Sequence, residues 1–189
     1  MTNTAPDTTT DTVRWHITMS LDGFITGPDQ SMDFVSAHAS RMPASAREVV
    51  RTTGALLGGR GWYDVAMERY NGLDGVYGGG WRGPVFVMTN RPVPGDADPS
   101  ITFLSGTIAD GVAAARKAAD GQDVVVFGAN TARQCLEAGL LDEILVHIAP
   151  VLLGDGVRLV SGPALGVTLE RVEVAETDQL TDLRFRVLK

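Results

Sequence analysis

The sequence predicts a three-layer α/β domain on a mostly parallel central sheet, with an antiparallel strand pair at its C-terminal end. Three observations lead there. Short apolar or alternating segments recur between helix-length stretches, the pattern of strands alternating with helices. The run at 123–127, Asp-Val-Val-Val-Phe, is apolar enough for the centre of a parallel sheet. Two alternating segments, near 168–174 and 183–188, then follow one another with no helix between them.

Each element has a local cause. Residues 13–19 alternate apolar and polar side chains, the period of a half-buried strand. They stop at the turn Ser20-Leu21-Asp22-Gly23, and a brief extended stretch follows at 24–26. A helix is expected over 44–53, with Pro43 suited to its first turn and Gly54 to its end. Residues 55–59 read as a buried strand running into a short helix through Glu68. The stretch 70–81 is rich in glycine and reads as a mobile loop. Strands follow at 84–89 and 101–104. Thr107 and Asp110 then form a capping box for an Ala-rich helix to Ala119. After the strand at 123–127, a helix runs to Ala138 with Gly139 as its stop, and the next strand covers 144–149.

Composition narrows the function. A chain of 189 residues forms one domain with a real core, expected over 13–189 behind a disordered leader at 1–12. No apolar run reaches the roughly 18–20 residues of a spanning helix, so no membrane role is expected. Cys135 is the only cysteine, which excludes an intrachain disulfide and a multi-thiolate metal site and fits the cytoplasm. No metal is expected. The formal charge of −7 argues against nucleic acid as a partner.

Three strand ends share one design. Gly58-Gly59-Arg60-Gly61 and Gly128-Ala129-Asn130-Thr131 each place small residues between a strand and a helix, where backbone amides can approach a phosphate. Thr89-Asn90-Arg91 adds a hydroxyl, an amide and a guanidinium after a third strand. Neither GxGxxG nor GxxxxGK[ST] occurs, so an ordinary Rossmann or P-loop site is not expected.

The order of these pieces resembles the dihydrofolate-reductase-like superfamily, nearest the reductase domain of riboflavin biosynthesis, the RibD C-terminal family. The carrying residues are Ser20-Leu21-Asp22-Gly23-Phe24-Ile25, Gly58-Gly59-Arg60, Met88-Thr89-Asn90-Arg91-Pro92 and Val126-Phe127-Gly128-Ala129-Asn130. Gly139-Leu140-Leu141-Asp142-Glu143-Ile144 and Ala149-Pro150-Val151-Leu152-Leu153-Gly154-Asp155-Gly156 complete them. The resemblance implies NADPH as hydride donor and reduction of a C=N or C=O group in a small heterocyclic or sugar-linked substrate. It implies that Gly59, Arg60, Gly61, Thr89, Asn90 and Arg91 embrace the adenosine 2′-phosphate. By the same resemblance Gly128, Ala129, Asn130 and Thr131 take the pyrophosphate, and Thr18, Met19 and Ile25 line the nicotinamide. Two alternatives stay open: a non-catalytic NADP(H)-binding module, and an authentic dihydrofolate or ribosylaminopyrimidine-dione reductase. The first-helix carboxylate that binds pterin in dihydrofolate reductases has no clear counterpart. The zinc deaminase site that often precedes the riboflavin reductase has none either.

Candidate proton donors are Asp33 and water ordered near Asp22, although Asp22 equally suits a turn. Glu48 reads as an acid on a wet helix face. His16 and His147 read as packed or exposed strand residues, and Cys135 as a core residue. Trp81 reads equally as a lid or as an anchor of its loop. A homodimer is expected, because the apolar run 144–153 would otherwise leave a strand edge to cover.

Overall fold

A computed structural model of the chain describes residues 11–38, 41–70, 72–95, 97–162 and 166–189. The strands are β1 (Val13–Ser20), β2 (Thr53–Gly59), β3 (Val85–Met88), β4 (Ile101–Leu104), β5 (Asp123–Phe127), β6 (Glu143–Ala149), β7 (Leu169–Thr177) and β8 (Leu180–Val187). The helices are α1 (Asp33–His38), α2 (Ala44–Thr52), α3 (Arg60–Arg69), α4 (Ile108–Ala119) and α5 (Ala129–Glu137). One eight-stranded sheet has the order β4-β3-β2-β5-β1-β6-β8-β7. The first six strands in that order are parallel, and β8 and β7 close it antiparallel. This is the predicted dihydrofolate-reductase-like, three-layer α/β fold.

Period-two alternation sorts the strand side chains into two cores. Val13, Trp15, Ile17, Ala55, Leu57, Val124 and Val126 pack under α4 and α5, against Val112, Ala115, Ala132 and Cys135. Leu56, Val85, Val87, Val125 and Leu145 face the other way, against Val49 of α2, Tyr63 of α3, Val76 and Trp81. The capping box of α4 forms as expected, with the Asp110 amide donating to Thr107 Oγ1 and the Thr107 amide to Asp110. Burial pushes the Cys135 thiol up to about 12, so it is an inert core group.

Several expectations need correction. Gly54 does not end a helix: α2 stops at Thr52, and Gly54 sits inside β2, where a Cβ would stand 2.5 Å from the Ala119 carbonyl. The glycine-rich stretch is no loose loop. Residues Gly72–Gly79 form short 3-10 turns, a strap pinned by buried Val76 and Trp81. Trp81 is the anchor, its indole N–H donating to the Thr53 carbonyl at 2.9 Å. The helix α1 had no clear signal in the sequence. The strand at 144–149 is interior, bonded to β1 on one side and β8 on the other, so it leaves no edge to cover. Of the expected leader, residues 1–10 lie outside the described ones. Its last residue, Thr12, donates its amide to Asp123 at 3.0 Å.

Among the described residues no helix is long and apolar enough to cross a membrane, and no cluster of three or more His, Cys, Asp or Glu could hold a metal.

Candidate functional site

Six parallel strands present their carboxyl ends on one edge of the sheet. The chain reverses its direction of travel around β5 and β1, and ligands of open α/β sheets bind at such a point. The three junctions singled out in the sequence all lie on this edge, after β2, β3 and β5.

Arg60 and Arg91, from two of those junctions, converge. Arg60 Nε donates to Asp64 Oδ1 at 2.6 Å, and Arg91 donates to Asp64 Oδ2 at 2.7 Å. A second Arg60 nitrogen donates to the Pro92 carbonyl at 2.8 Å, and the Arg91 amide to Thr89 Oγ1 at 3.0 Å. Burial raises the Asp64 pKa, but the two guanidinium groups outweigh it and leave the carboxyl below its ordinary value. Two shallow hollows flank the cluster: one of about 300 Å³ beside Tyr63, Asp64 and Pro94, another of about 240 Å³ beside Asn90, Arg91 and Phe103. Asp64 was not foreseen; its place one helical turn after Arg60 was the available signal.

The glycine junctions are tight. A Cβ on Gly58 would meet the Trp62 ring at 2.3 Å, and one on Gly59 would meet Thr131 Oγ1 at 2.6 Å. Gly61 faces open space. Thr131 is buried against Gly59, which leaves the backbone amides at the start of α5 and the exposed Asn130 side chain to meet an anion. Thr18 and Met19 are half-buried at the end of β1. Ile25 is only 5% exposed and belongs to the core under α4 and α5, which leaves it little surface for a ring.

Asp22 is tied up. Its carboxylate accepts from Ser20 Oγ at 2.6 Å and from the amides of Leu153 and Gly154 at 3.1 and 2.7 Å. The Ser20 hydroxyl first, and then those amides, hold its pKa at about 2, against the opposing effect of burial. It joins the turn after β1 to the loop after β6 and has no proton to give near neutral pH. Asp33 stands exposed in the first turn of α1. Glu48 is no free surface acid; it accepts from Arg184 at 2.7 Å.

The polar face of β1 holds what the sequence did not reveal. Arg14 and His16 are 6% and 7% exposed. Arg14 bonds Asp123 at 3.0 Å and also pairs with Glu143. His16 Nδ1 lies 2.8 Å from the Tyr77 hydroxyl, and His16 Nε2 lies 2.7 Å from His147 Nε2. His147 Nδ1 lies 2.6 Å from Asp182, whose other oxygen accepts from Ser45 at 2.9 Å. Five side chains from β1, β6, β8, α2 and the strap thus make one continuous chain. Its signal was faint: a histidine in the otherwise apolar stretch Ile144-Leu145-Val146-His147-Ile148-Ala149.

A sequence profile described as the RibD C-terminal domain matches residues 80–181, more than half of the chain. The chain belongs to the RibD C-terminal domain family. Solved structures share the fold of this RibD C-terminal domain at low identity. A putative riboflavin biosynthesis protein from Shewanella sp. PV-4 is 21% identical with a TM-score of 0.78, covering 94% of this chain and 99% of that one. A diaminohydroxyphosphoribosylaminopyrimidine deaminase/5-amino-6-(5-phosphoribosylamino)uracil reductase from Thermotoga maritima is 14% identical with a TM-score of 0.67. The match covers 95% of this chain and spans 57% of that longer protein. A riboflavin biosynthesis reductase of Saccharomyces cerevisiae is 14% identical, with a TM-score of 0.58 and coverage of 97% and 92%. No curated protein matches.

Proposed function

We propose that this RibD C-terminal domain is an NADPH-dependent reductase of a small, sugar-linked heterocycle. The observation that carries the reading is the meeting of Arg60 and Arg91 at one point on the carboxyl edge of the sheet, beside the two glycine junctions. Two guanidinium groups suit a phosphate dianion, and amides at the head of α5 suit a pyrophosphate. When bound, NADPH supplies the hydride. Asp64 holds the two guanidinium groups together until a dianion takes its place. Thr18 and Met19 flank the reacting ring, and the strap closes the opposite side. Two structural neighbours, one named as a 5-amino-6-(5-phosphoribosylamino)uracil reductase and one as a riboflavin biosynthesis reductase, support the substrate class.

The test is NADPH consumption, followed by absorbance, with 5-amino-6-(5-phosphoribosylamino)uracil and with dihydrofolate. Turnover of the first and not the second is expected, because the matching family is the RibD C-terminal domain and two neighbours are named as a 5-amino-6-(5-phosphoribosylamino)uracil reductase and a riboflavin biosynthesis reductase. Turnover of neither contradicts the reductase reading for these substrates and favours a nucleotide-binding module.

A homodimer belongs to the same reading, on a different surface from the one the sequence suggested. Leu169, Val172 and Val174 of edge strand β7 are exposed apolar residues at the antiparallel end of the sheet. Light scattering at micromolar concentration should give about twice the 20.1 kDa of one chain. A mass of one chain, unchanged on concentration, rejects the dimer.

A further inference from the structure

The buried chain Tyr77–His16–His147–Asp182–Ser45 serves no evident packing need. Apolar residues would fill the same interior without five polar groups to satisfy. It also runs toward the site. Tyr77 is half-buried, and its ring lies 5.5 Å from that of His16 and 5.9 Å from that of Phe127. Gly128, next to Phe127, opens the α5 junction, and Thr18 follows His16 by two residues on the same face of β1.

The hydrogen-bonding inventory admits two proton arrangements. In the first, every donor points toward Asp182. The Tyr77 hydroxyl donates to His16 Nδ1, His16 Nε2–H donates to His147 Nε2, and His147 Nδ1–H donates to the Asp182 carboxylate. In the second, one extra proton sits on His147, opposite that carboxylate. His147 Nε2–H then donates to His16, His16 Nδ1–H donates to the Tyr77 oxygen, and the Tyr77 O–H is turned outward. Burial, then the charges of His147, Arg14 and Arg184, hold the His16 pKa well below its ordinary value, so the extra proton does not rest there. Burial pushes the Tyr77 phenol up, so it remains a donor.

Resting on the reductase reading above, we propose that Tyr77 is the proton donor of the reduction and that His16, His147 and Asp182 form the relay that recharges it. The Tyr77 O–H bond breaks as a new H–N or H–O bond forms on the heteroatom of the double bond being reduced. His16 passes its Nδ1 proton to the Tyr77 oxygen and takes one at Nε2 from His147, which returns to neutral. No electrons move within the relay, and one proton from water resets it for the next turnover. Tyr77 is the catalytic residue; His16, His147 and Asp182 act through it. Neither Asp33, exposed on α1, nor Asp22, fully bonded in its turn, is needed.

The charged and titratable groups facing the relay are Arg14 on β1, Asp123 on β5, Glu143 on β6, Arg184 on β8 and Glu48 on α2. They are bonded to one another rather than to the relay.

Tyr77→Phe keeps the ring and removes only the hydroxyl. With 5-amino-6-(5-phosphoribosylamino)uracil, kcat should fall about a hundredfold while NADPH affinity holds. Asp182→Asn removes the carboxylate that accepts from His147 Nδ1, so kcat should fall while NADPH affinity holds. A second readout needs no turnover. The chain has three histidines, so NMR of their ring nitrogens assigns readily. Asp182→Asn should shift the His16 nitrogens, two links away; Ser45→Ala, a milder change, should shift them in the same sense. An unchanged kcat in Tyr77→Phe overturns the proposal, as do His16 signals unmoved by both substitutions. If the unsubstituted protein turns over neither probe, the reductase reading has failed, and NMR alone then upholds or overturns the relay.

Discussion

Replacing Arg14 with Ala should destabilise the fold by about 3–5 kcal/mol, the usual cost of leaving a buried charge without its partner. Arg14 sits on β1 between β5 and β6, and binds an acid on each: Asp123 and Glu143. Asp123 is only 3% exposed, and without Arg14 it keeps the Thr12 amide but loses its counter-charge. Glu143 fares better, since Arg184 stands 3.9 Å away. The effect belongs to breaking the pair, not to the worth of the pair itself. Replacing Arg14, Asp123 and Glu143 together by apolar residues of similar volume should recover much of the loss. Denaturant unfolding of the single and triple variants measures both. A single variant within about 1 kcal/mol of the parent would contradict the buried pairing.

Gly156→Ala is the second large effect, expected at roughly 3 kcal/mol. Its φ is +132°, and a Cβ there would stand 2.0 Å from the Thr26 carbonyl oxygen and 2.9 Å from the Gly27 backbone. Neither is the end of a flexible side chain, so the backbone itself must move. What it would pry apart is the corner joining the loop after β6 to the turn after β1. There the Ile25 amide donates to Val157, the Leu159 amide to Gly23, and Phe24 bridges Arg158. The melting temperature should fall by about 6–12 °C, at roughly 2–4 °C per kcal/mol for a chain of this size.

Asp22 gives the same corner a pH signature. Its carboxyl is held down from about 3.8 to about 2 in the folded protein. A depressed carboxylate stabilises above its unfolded pKa, and that support is lost as pH falls through the folded value. The loss therefore lies between about pH 4 and pH 2, and Asp22→Asn should remove that part of the pH dependence.

The same corner shows how far the sequence could be read. The turn after β1 and the glycine-bearing loop after β6 were both visible as motifs. Their union was not, because Asp22 meets Gly154 only once β1 and β6 are paired. The strand β1 was legible from its alternation, yet its polar face was not. Alternation tells which side chains share a face, not whether water or another layer covers it. Here α2 and the strap cover it, and the partners of His16 lie 61 and 131 residues away in sequence. The strap misled through composition: glycines suggest freedom, while Val76 and Trp81 supply the burial that fixes it. Arg60 and Arg91 were picked out singly, each at its own strand end. That they meet, and meet on Asp64, depends on β2 and β3 being neighbours.

On the function proposed above, the carboxyl edge of this sheet holds NADPH through Arg60 and Arg91. Calorimetric titration of the intact protein with NADPH and with NADH tests it most directly. Saturable binding with NADPH tighter is expected, and the preference should shrink in Arg60→Ala and Arg91→Ala because only the 2′-phosphate offers those groups a dianion. Equal affinity for the two nucleotides, or binding of neither, would contradict it.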